Sequence, residues 1–164
     1  MAEKRCPVVQ KDLFQLKHVL QADLSPDGQM AAYVVSTVDA AADKELMAIW
    51  LVRLNDGQCR QLTAGTAVDS SPVWSPDGHS IAFTSTRHEE KPQLFIIPVS
   101  GGEARQLTHF KQGVGGAAVW SPDGKTVAFS ANPIEEPRDT KKPYRLERFV
   151  YRFNGMEYLD DVVQ

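Results

Sequence analysis

The tetrapeptide Ser-Pro-Asp-Gly stands at three places in this 164-residue chain: Ser25 to Gly28, Ser75 to Gly78 and Ser121 to Gly124. Successive copies begin 50 and 46 residues apart. A hairpin signal recurring at this interval constrains the fold more than any single residue does. A period of about 40–50 residues is that of small β-units arranged side by side.

The tetrapeptide is a turn by its chemistry. Proline fixes φ near −65°, which suits the first corner of a type I turn. The aspartate carboxylate can accept from its own backbone, and glycine takes the left-handed conformation without a Cβ clash. Together they predict a three-residue hairpin loop with a glycine bulge, the serine in front accepting a turn N–H. The other reading is a metal loop through Asp27, Asp77 and Asp123. Hard cations need several oxygens converging on one point, and each loop offers a lone carboxylate.

A second repeat is superimposed on the first. Ile49 to Thr63 (IWLVRLNDGQCRQLT) aligns without a gap with Leu94 to Thr108 (LFIIPVSGGEARQLT) at an offset of 45. Each has an apolar run, a turn (Asn55-Asp56-Gly57 or Ser100-Gly101-Gly102) and a short strand ending Arg-Gln-Leu-Thr, which predicts a second hairpin per unit. The strands after the tetrapeptide are QMAAYVV, HSIAFTS and KTVAFSA. Ala31, Ile81 and Val127 share one face with Tyr33, Phe83 and Phe129, and Ala32, Ala82 and Ala128 lie on the other. Large apolar groups on one face and alanine on the opposite one predict strands buried on both sides, as in propeller blades. Trp74 and Trp120 hold one position before the turn and are expected to pack between blades, with ligand stacking the minor reading.

The predicted fold is therefore all-β: an incomplete β-propeller of about three four-stranded antiparallel blades, preceded by a short helix. A lead-in with that helix spans 1–16, and the partial propeller spans 17–164. Blade 1 covers 17–63, blade 2 covers 67–108, and blade 3, incomplete, covers 113–164. The helix is expected over Lys11 to Lys17, with Asp12 as N-cap and Leu13, Phe14 and Leu16 pinning it down. About five extra residues of blade 1 are expected in a loop from Val38 to Glu45. Blade 3 departs from the pattern after Ala131. A Pro-rich loop over Asn132 to Tyr144 precedes an expected strand, Leu146 to Phe153, and an Asn154-Gly155 turn. Propellers close with about four to eight blades, so three and a fraction are expected to be part of something longer. Closure by association of copies into a homo-oligomer is the other route.

The residues resemble a known group. The opening KDLFQLKHVLQADLSPDG, the stretch Thr84 to Thr108 (TSTRHEEKPQLFIIPVSGGEARQLT) and the segment Val150 to Asp160 (VYRFNGMEYLD) are similar to the N-terminal propeller of the prolyl oligopeptidase family. The nearest branch is that of acylaminoacyl-peptidases and dipeptidyl-aminopeptidases. The tetrapeptide itself is shared with TolB-like and other propellers. The resemblance implies a cytoplasmic serine peptidase whose propeller covers the active site of a C-terminal α/β-hydrolase domain, its partner, and limits entry to small peptide substrates. The catalytic groups of such enzymes lie in the hydrolase domain. No Gly-x-Ser-x-Gly elbow occurs in this sequence, so no catalytic residue is assigned here.

Other chemistry is weighed in the same way. Net charge is −3, with 42% apolar and 24% charged residues, which gives no electrostatic pull toward nucleic acid. The basic run Lys141, Lys142, Arg145, Arg148 and Arg152 beside Tyr144 and Tyr151 reads more simply as alternation along a strand than as a nucleic-acid site. Cys6 and Cys59 read as reduced thiols, a disulfide between them being the other option. No run has the length of a membrane span or a signal peptide, and a cytoplasmic protein is expected. His18, His79, His88 and His109 lack metal-ligand spacing, so no metal or cofactor site is assigned. The pairs Glu89-Glu90 and Glu135-Glu136 read as solvated loops, although Glu135, Glu136, Arg138 and Asp139 could line a substrate entrance. Three hypotheses stand: a peptidase propeller, a non-enzymatic TolB-type protein-binding propeller, and a remnant without function of its own.

Overall fold

A computed structural model of the chain describes residues 9–131. The blade 3 expectations beyond Ala131, the basic run, the acidic loop at Glu135 and Cys6 lie outside the described residues. The described strands form three antiparallel sheets. The first joins β1 (His18–Leu24), β2 (Met30–Asp39), β3 (Lys44–Arg53) and β4 (Cys59–Gln61) in that order. The second repeats this with β5 (Asp69–Trp74), β6 (Ser80–Ser85), β7 (Gln93–Pro98) and β8 (Arg105–Gln106). The third pairs β9 (Val114–Trp120) with β10 (Val127–Ala131). Each sheet is a meander, and β1, β5 and β9 touch in succession. This is the arrangement of propeller blades, as the repeat predicts.

The two-faced pattern of the middle strand decides how the sheets pack. Ala32, Val34, Ile49 and Leu51 of the first sheet share one core with Trp74, Ile81, Phe83, Phe95 and Ile97 of the second. From the opposite face of that second sheet, Ala82 and Leu94 join Val114 and Ala118 of the third. Phe83 and Phe95, whose ring centroids lie 5.8 Å apart, share that core with the small Ala32. Large against small lets neighbouring sheets interdigitate without voids.

The tryptophans add direction. The Trp74 indole N–H donates to the Asp23 carbonyl at 3.1 Å, and the Trp120 indole N–H donates to the Val73 carbonyl at 3.3 Å. Each indole thus reaches back to the last residue but one of the first strand of the sheet before it. The Trp74 backbone N–H also donates to the Asp23 carboxylate at 2.9 Å. Farther out, the Arg60 guanidinium donates to the Val99 carbonyl, so the outer strand of the first sheet is tied to the second.

Two expectations are corrected. Of the residues expected as a loop from Val38 to Glu45, only 40–43 form the turn, and the other half is paired strand, in register from Met30↔Arg53 to Asp39↔Lys44. Thr37 and Val38 are strand formers, so the ladder runs on and the chain turns only over residues 40–43. There the Asp39 carboxylate accepts from the N–H groups of Ala41 and Ala42. The extra length therefore extends the hairpin. The lead-in helix is a 3-10 helix over Gln10–Gln15, and Asp12 is not its N-cap. Its carboxylate instead reaches back to the Val9 N–H at 2.8 Å, the role of the third residue of a capping box. Phe14 and Leu16 stay about half exposed, so they anchor the helix only in part.

Trp74 is 5% exposed, and its indole N–H donates to the carbonyl of the half-buried Asp23. Trp74→Phe removes the donor and part of the ring, and it is expected to cost about 1–3 kcal/mol. Urea unfolding followed by circular dichroism would measure it, and an unchanged midpoint would contradict the role assigned to the indole.

Candidate functional site

The turns build one end of the sheets. In each copy the glycine N–H donates to the serine carbonyl at 2.9 Å, and glycine takes φ near +70°. That carbonyl is then no longer free to accept across the hairpin. The serine hydroxyl takes its place: Ser25 Oγ accepts from Met30 N–H, Ser75 Oγ from Ser80 N–H and Ser121 Oγ from Thr126 N–H, at 2.9–3.0 Å. The loop holds four residues where three were expected, because the side chain closes the hairpin one residue further out. Each hydroxyl donates to its aspartate at 2.6 Å, and each aspartate also accepts the N–H two residues on. The aspartates are turn formers, as the simpler reading has it.

These contacts hold the carboxyls of Asp27, Asp77 and Asp123 below the usual range, the serine hydroxyl being the largest cause and the backbone N–H the next. Successive turns stack closely, a Cβ on Gly78 lying 3.8 Å from Pro26 Cδ and one on Gly124 lying 3.8 Å from Pro76 Cδ. A groove of about 400 Å³ opens between the first two turns, lined by Met30, Trp74 and the Asp27 and Asp77 loops.

The opposite end of the second sheet is chemically richer. Asp69 is buried at the start of β5, where register places it beside Ser85. Arg87 Nη2 donates to both Asp69 oxygens at 3.0 Å, and Arg87 Nε donates to Ser85 Oγ at 3.0 Å. The guanidinium lies 5.1 Å from the Phe83 ring centroid and 5.0 Å from that of Phe95. A carboxylate excluded from water needs such a partner, and Arg offers a planar one that also stacks on aromatic rings.

Beside this pair sits Gln93, 1% exposed. Its carbonyl oxygen accepts from Thr108 Oγ1 and Phe110 N–H, and its amide donates to Phe110 O and Glu89 Oε2. Thr108 Oγ1 accepts from Leu94 N–H, and Thr63 Oγ1 accepts from Ile49 N–H in the same way. This gives the Arg-Gln-Leu-Thr ending its meaning: the threonine hydroxyl stands in for a ladder acceptor.

The histidines and acidic pairs fall as follows. His79 and His88 are exposed, and the His88 ring leans on Phe95 with centroids 5.7 Å apart. His109 lies by Glu89. Glu89 is held by Gln93 and Gln106, where a solvated loop residue was expected. Cys59 is an exposed free thiol. Burial and the neighbouring Cys59 push the Tyr33 hydroxyl up to about 12. Among the described residues no three His, Cys, Asp or Glu side chains converge on a metal position. No described helix is long and apolar enough to cross a membrane. Sequence reasoning missed Asp69, Arg87 and the Gln93 hub. The one available signal was a lone Asp opening a strand that ends Val-Trp, with Arg just past the end of the next strand.

Arg87→Leu leaves the Asp69 charge buried without its partner and is expected to destabilise by about 3–5 kcal/mol. Adding Asp69→Asn should recover most of that loss in urea melts. For the turns, the depressed carboxyls stabilise the fold above the unfolded carboxyl value of about 3.9. That contribution is lost as pH falls through their lower folded values. Melting temperature should therefore drop below about pH 4, and Asp77→Asn should flatten that drop.

Four similarities to known proteins stand out. Residues 46–150 match the family model described as the tricorn protease N-terminal β-propeller domain. The uncharacterised peptidase YuxL of Bacillus subtilis is 38% identical over 103 residues, which is 63% of this chain and 16% of that protein. Among solved structures, the Pyrococcus horikoshii acylaminoacyl peptidase superposes with a TM-score of 0.68 at 20% identity, over 92% of this chain and 23% of that one. A TolB from Agrobacterium tumefaciens described as putative gives a TM-score of 0.54 at 26% identity, over 73% of this chain and 43% of that one. The chain thus spans only a fraction of these relatives, and its likeness to a peptidase-associated propeller agrees with the resemblance to the prolyl oligopeptidase family. It belongs to the family of tricorn protease N-terminal β-propeller domains.

Proposed function

We propose that this chain is the amino-terminal part of the propeller of a cytoplasmic serine peptidase of the prolyl oligopeptidase type. In the full-length protein it gates and positions small peptide substrates for a C-terminal α/β-hydrolase domain, which carries the nucleophile. Its proposed divisions are a lead-in over 1–16 and blades over 17–63, 67–108 and 113–164. One observation carries the reading: the match over residues 46–150 is to the propeller of a protease. The peptidase relative at 38% identity supports it. A packed array with polar ends suits a gate physically. Its interior is filled by apolar contacts between sheets, and its loops are free to meet a substrate.

A second reading is a non-enzymatic, protein-binding propeller of the TolB type. The 26% identity to a TolB structure favours it, since the tetrapeptide turn serves either role.

The full-length protein, treated with a fluorophosphonate probe and assayed on acyl-aminoacyl and aminoacyl chromogenic substrates, separates the two. Labelling with hydrolysis is expected, and neither would occur with a binding propeller. Gating predicts that turnover falls steeply from short peptides to an unfolded protein such as casein. Equal turnover of both would overturn the gating role while leaving the peptidase assignment intact.

A further inference from the structure

We propose that the joint between the second and third sheets carries a proton-operated clasp, in which His109 transfers its Nδ1 contact from Gln106 to Glu89 when the imidazole is protonated. Two stretches, residues 86–92 and 107–113, form this joint. Val114 N–H donates to the Pro92 carbonyl at 2.8 Å, and Gly113 N–H donates to the Phe110 carbonyl at 2.9 Å. A Cβ on Gly113 would lie 2.8 Å from the Pro92 oxygen, so the approach leaves room only for glycine. The Phe110 ring packs on Phe129 of β10, with centroids 5.6 Å apart.

Hydrogen counting exposes the device. The Gln93 amide spends both hydrogens, on Phe110 O at 2.7 Å and on Glu89 Oε2 at 3.0 Å, so it is fixed. Gln106 Nε2 also has two hydrogens, and three acceptors surround it: Thr108 O at 2.7 Å, His109 Nδ1 at 3.1 Å and Glu89 Oε1 at 3.2 Å. Thr108 takes one by proximity. His109 and Glu89 compete for the other, and His109 can compete only while Nδ1 carries no proton. Once protonated, Nδ1 becomes a donor. Glu89 Oε1, 3.6 Å away, is then its acceptor, and the contested Gln106 hydrogen passes to the same carboxylate. Glu89 then collects Gln93, Gln106 and the imidazolium, and it ties residues 86–92 to residues 107–113 more tightly.

The surrounding charges are accounted for. On the 86–92 stretch, Arg87 is engaged by Asp69 and the His88 ring rests on Phe95. Glu90 and Lys91 on that stretch, Arg105 on β8 and Lys111 on His109's own stretch are exposed. Among the described residues none of these forms an ion pair with His109. The cluster is also no requirement of the repeat. At the offset of 45, the first sheet has Lys44 for Glu89, Ala48 for Gln93 and Ala64 for His109. It keeps Gln61 and Thr63, and it forms its sheet without the clasp.

Amide hydrogen exchange on the full-length protein tests this. After correction for intrinsic rates, Phe110 and Val114 amides should be about two- to fivefold better protected at pH 5.5 than at pH 7.5, the modest size fitting an exposed pair. The Ile49 amide of the first sheet, held by Thr63 Oγ1 and remote from the clasp, should show no such ratio. His109→Gln and Glu89→Gln should each abolish the ratio at Phe110 and Val114. No ratio in the parent protein, or the same ratio surviving in both variants, would overturn the proposal.

Discussion

A strand with apolar groups on both faces cannot be satisfied by its own sheet. That constraint organises everything else in this chain. β6 sends Ile81 and Phe83 one way and Ala82 the other, and all three are fully buried. The sheet therefore needs a neighbour on each side, and the neighbours must differ in relief. Phe83 and Phe95 protrude toward Ala32 and Val34, while Ala82 lets Val114 and Ala118 come close. Burying a phenylalanine side chain is worth about 2–3 kcal/mol, so such a face left open is a substantial cost. An unequal pair of faces, repeated with one polarity, turns separate hairpin sheets into an array with a direction.

Hydrogen bonds then fix how far each sheet slides against the next. Apolar packing alone tolerates small shifts, whereas a buried donor tolerates none without losing its partner. The Trp74 and Trp120 indoles meet the carbonyls of Asp23 and Val73 at equivalent points, so the second and third sheets are set against their predecessors by one rule. The first sheet has Leu24 at that position, 61% exposed and without a donor. Its inner strand is correspondingly bare, with Val19 and Leu20 more than half exposed.

Local chemistry was legible in the sequence, and cross-chain chemistry was not. The Ser-Pro-Asp-Gly turn could be read because its partners lie within five residues. Even so, the loop came out one residue longer than expected, since no pattern announces that Ser25 Oγ replaces its own carbonyl. The alternation of Ile81, Ala82 and Phe83 gave the packed faces directly. The tryptophans could be placed between sheets but not aimed, because the indole acceptors lie 51 and 47 residues away. Asp69 and Arg87 were missed for the same reason: their meeting depends on the β5–β6 register, which sets Asp69 opposite Ser85. At Val38 to Glu45 the alanines and Asp43 do form the turn, and only the residues on either side of them extend the strands.

The repeat also separates scaffold from particular function. What recurs at fixed offsets, such as the serine hydroxyl in the turn, the threonine closing the outer hairpin and the inner-strand tryptophan, is explained by folding alone. What appears once needs another reason. Gln93 replaces the alanine of the first sheet with a buried amide that must satisfy four hydrogen bonds, and such a residue is costly unless every one is made. Asp69 and Arg87 add a buried ion pair where an apolar pair would stabilise as well. These exceptions sit together at one end of the second sheet, beside the joint with the third. The first sheet packs into the array with none of them, so stacking alone does not account for that end.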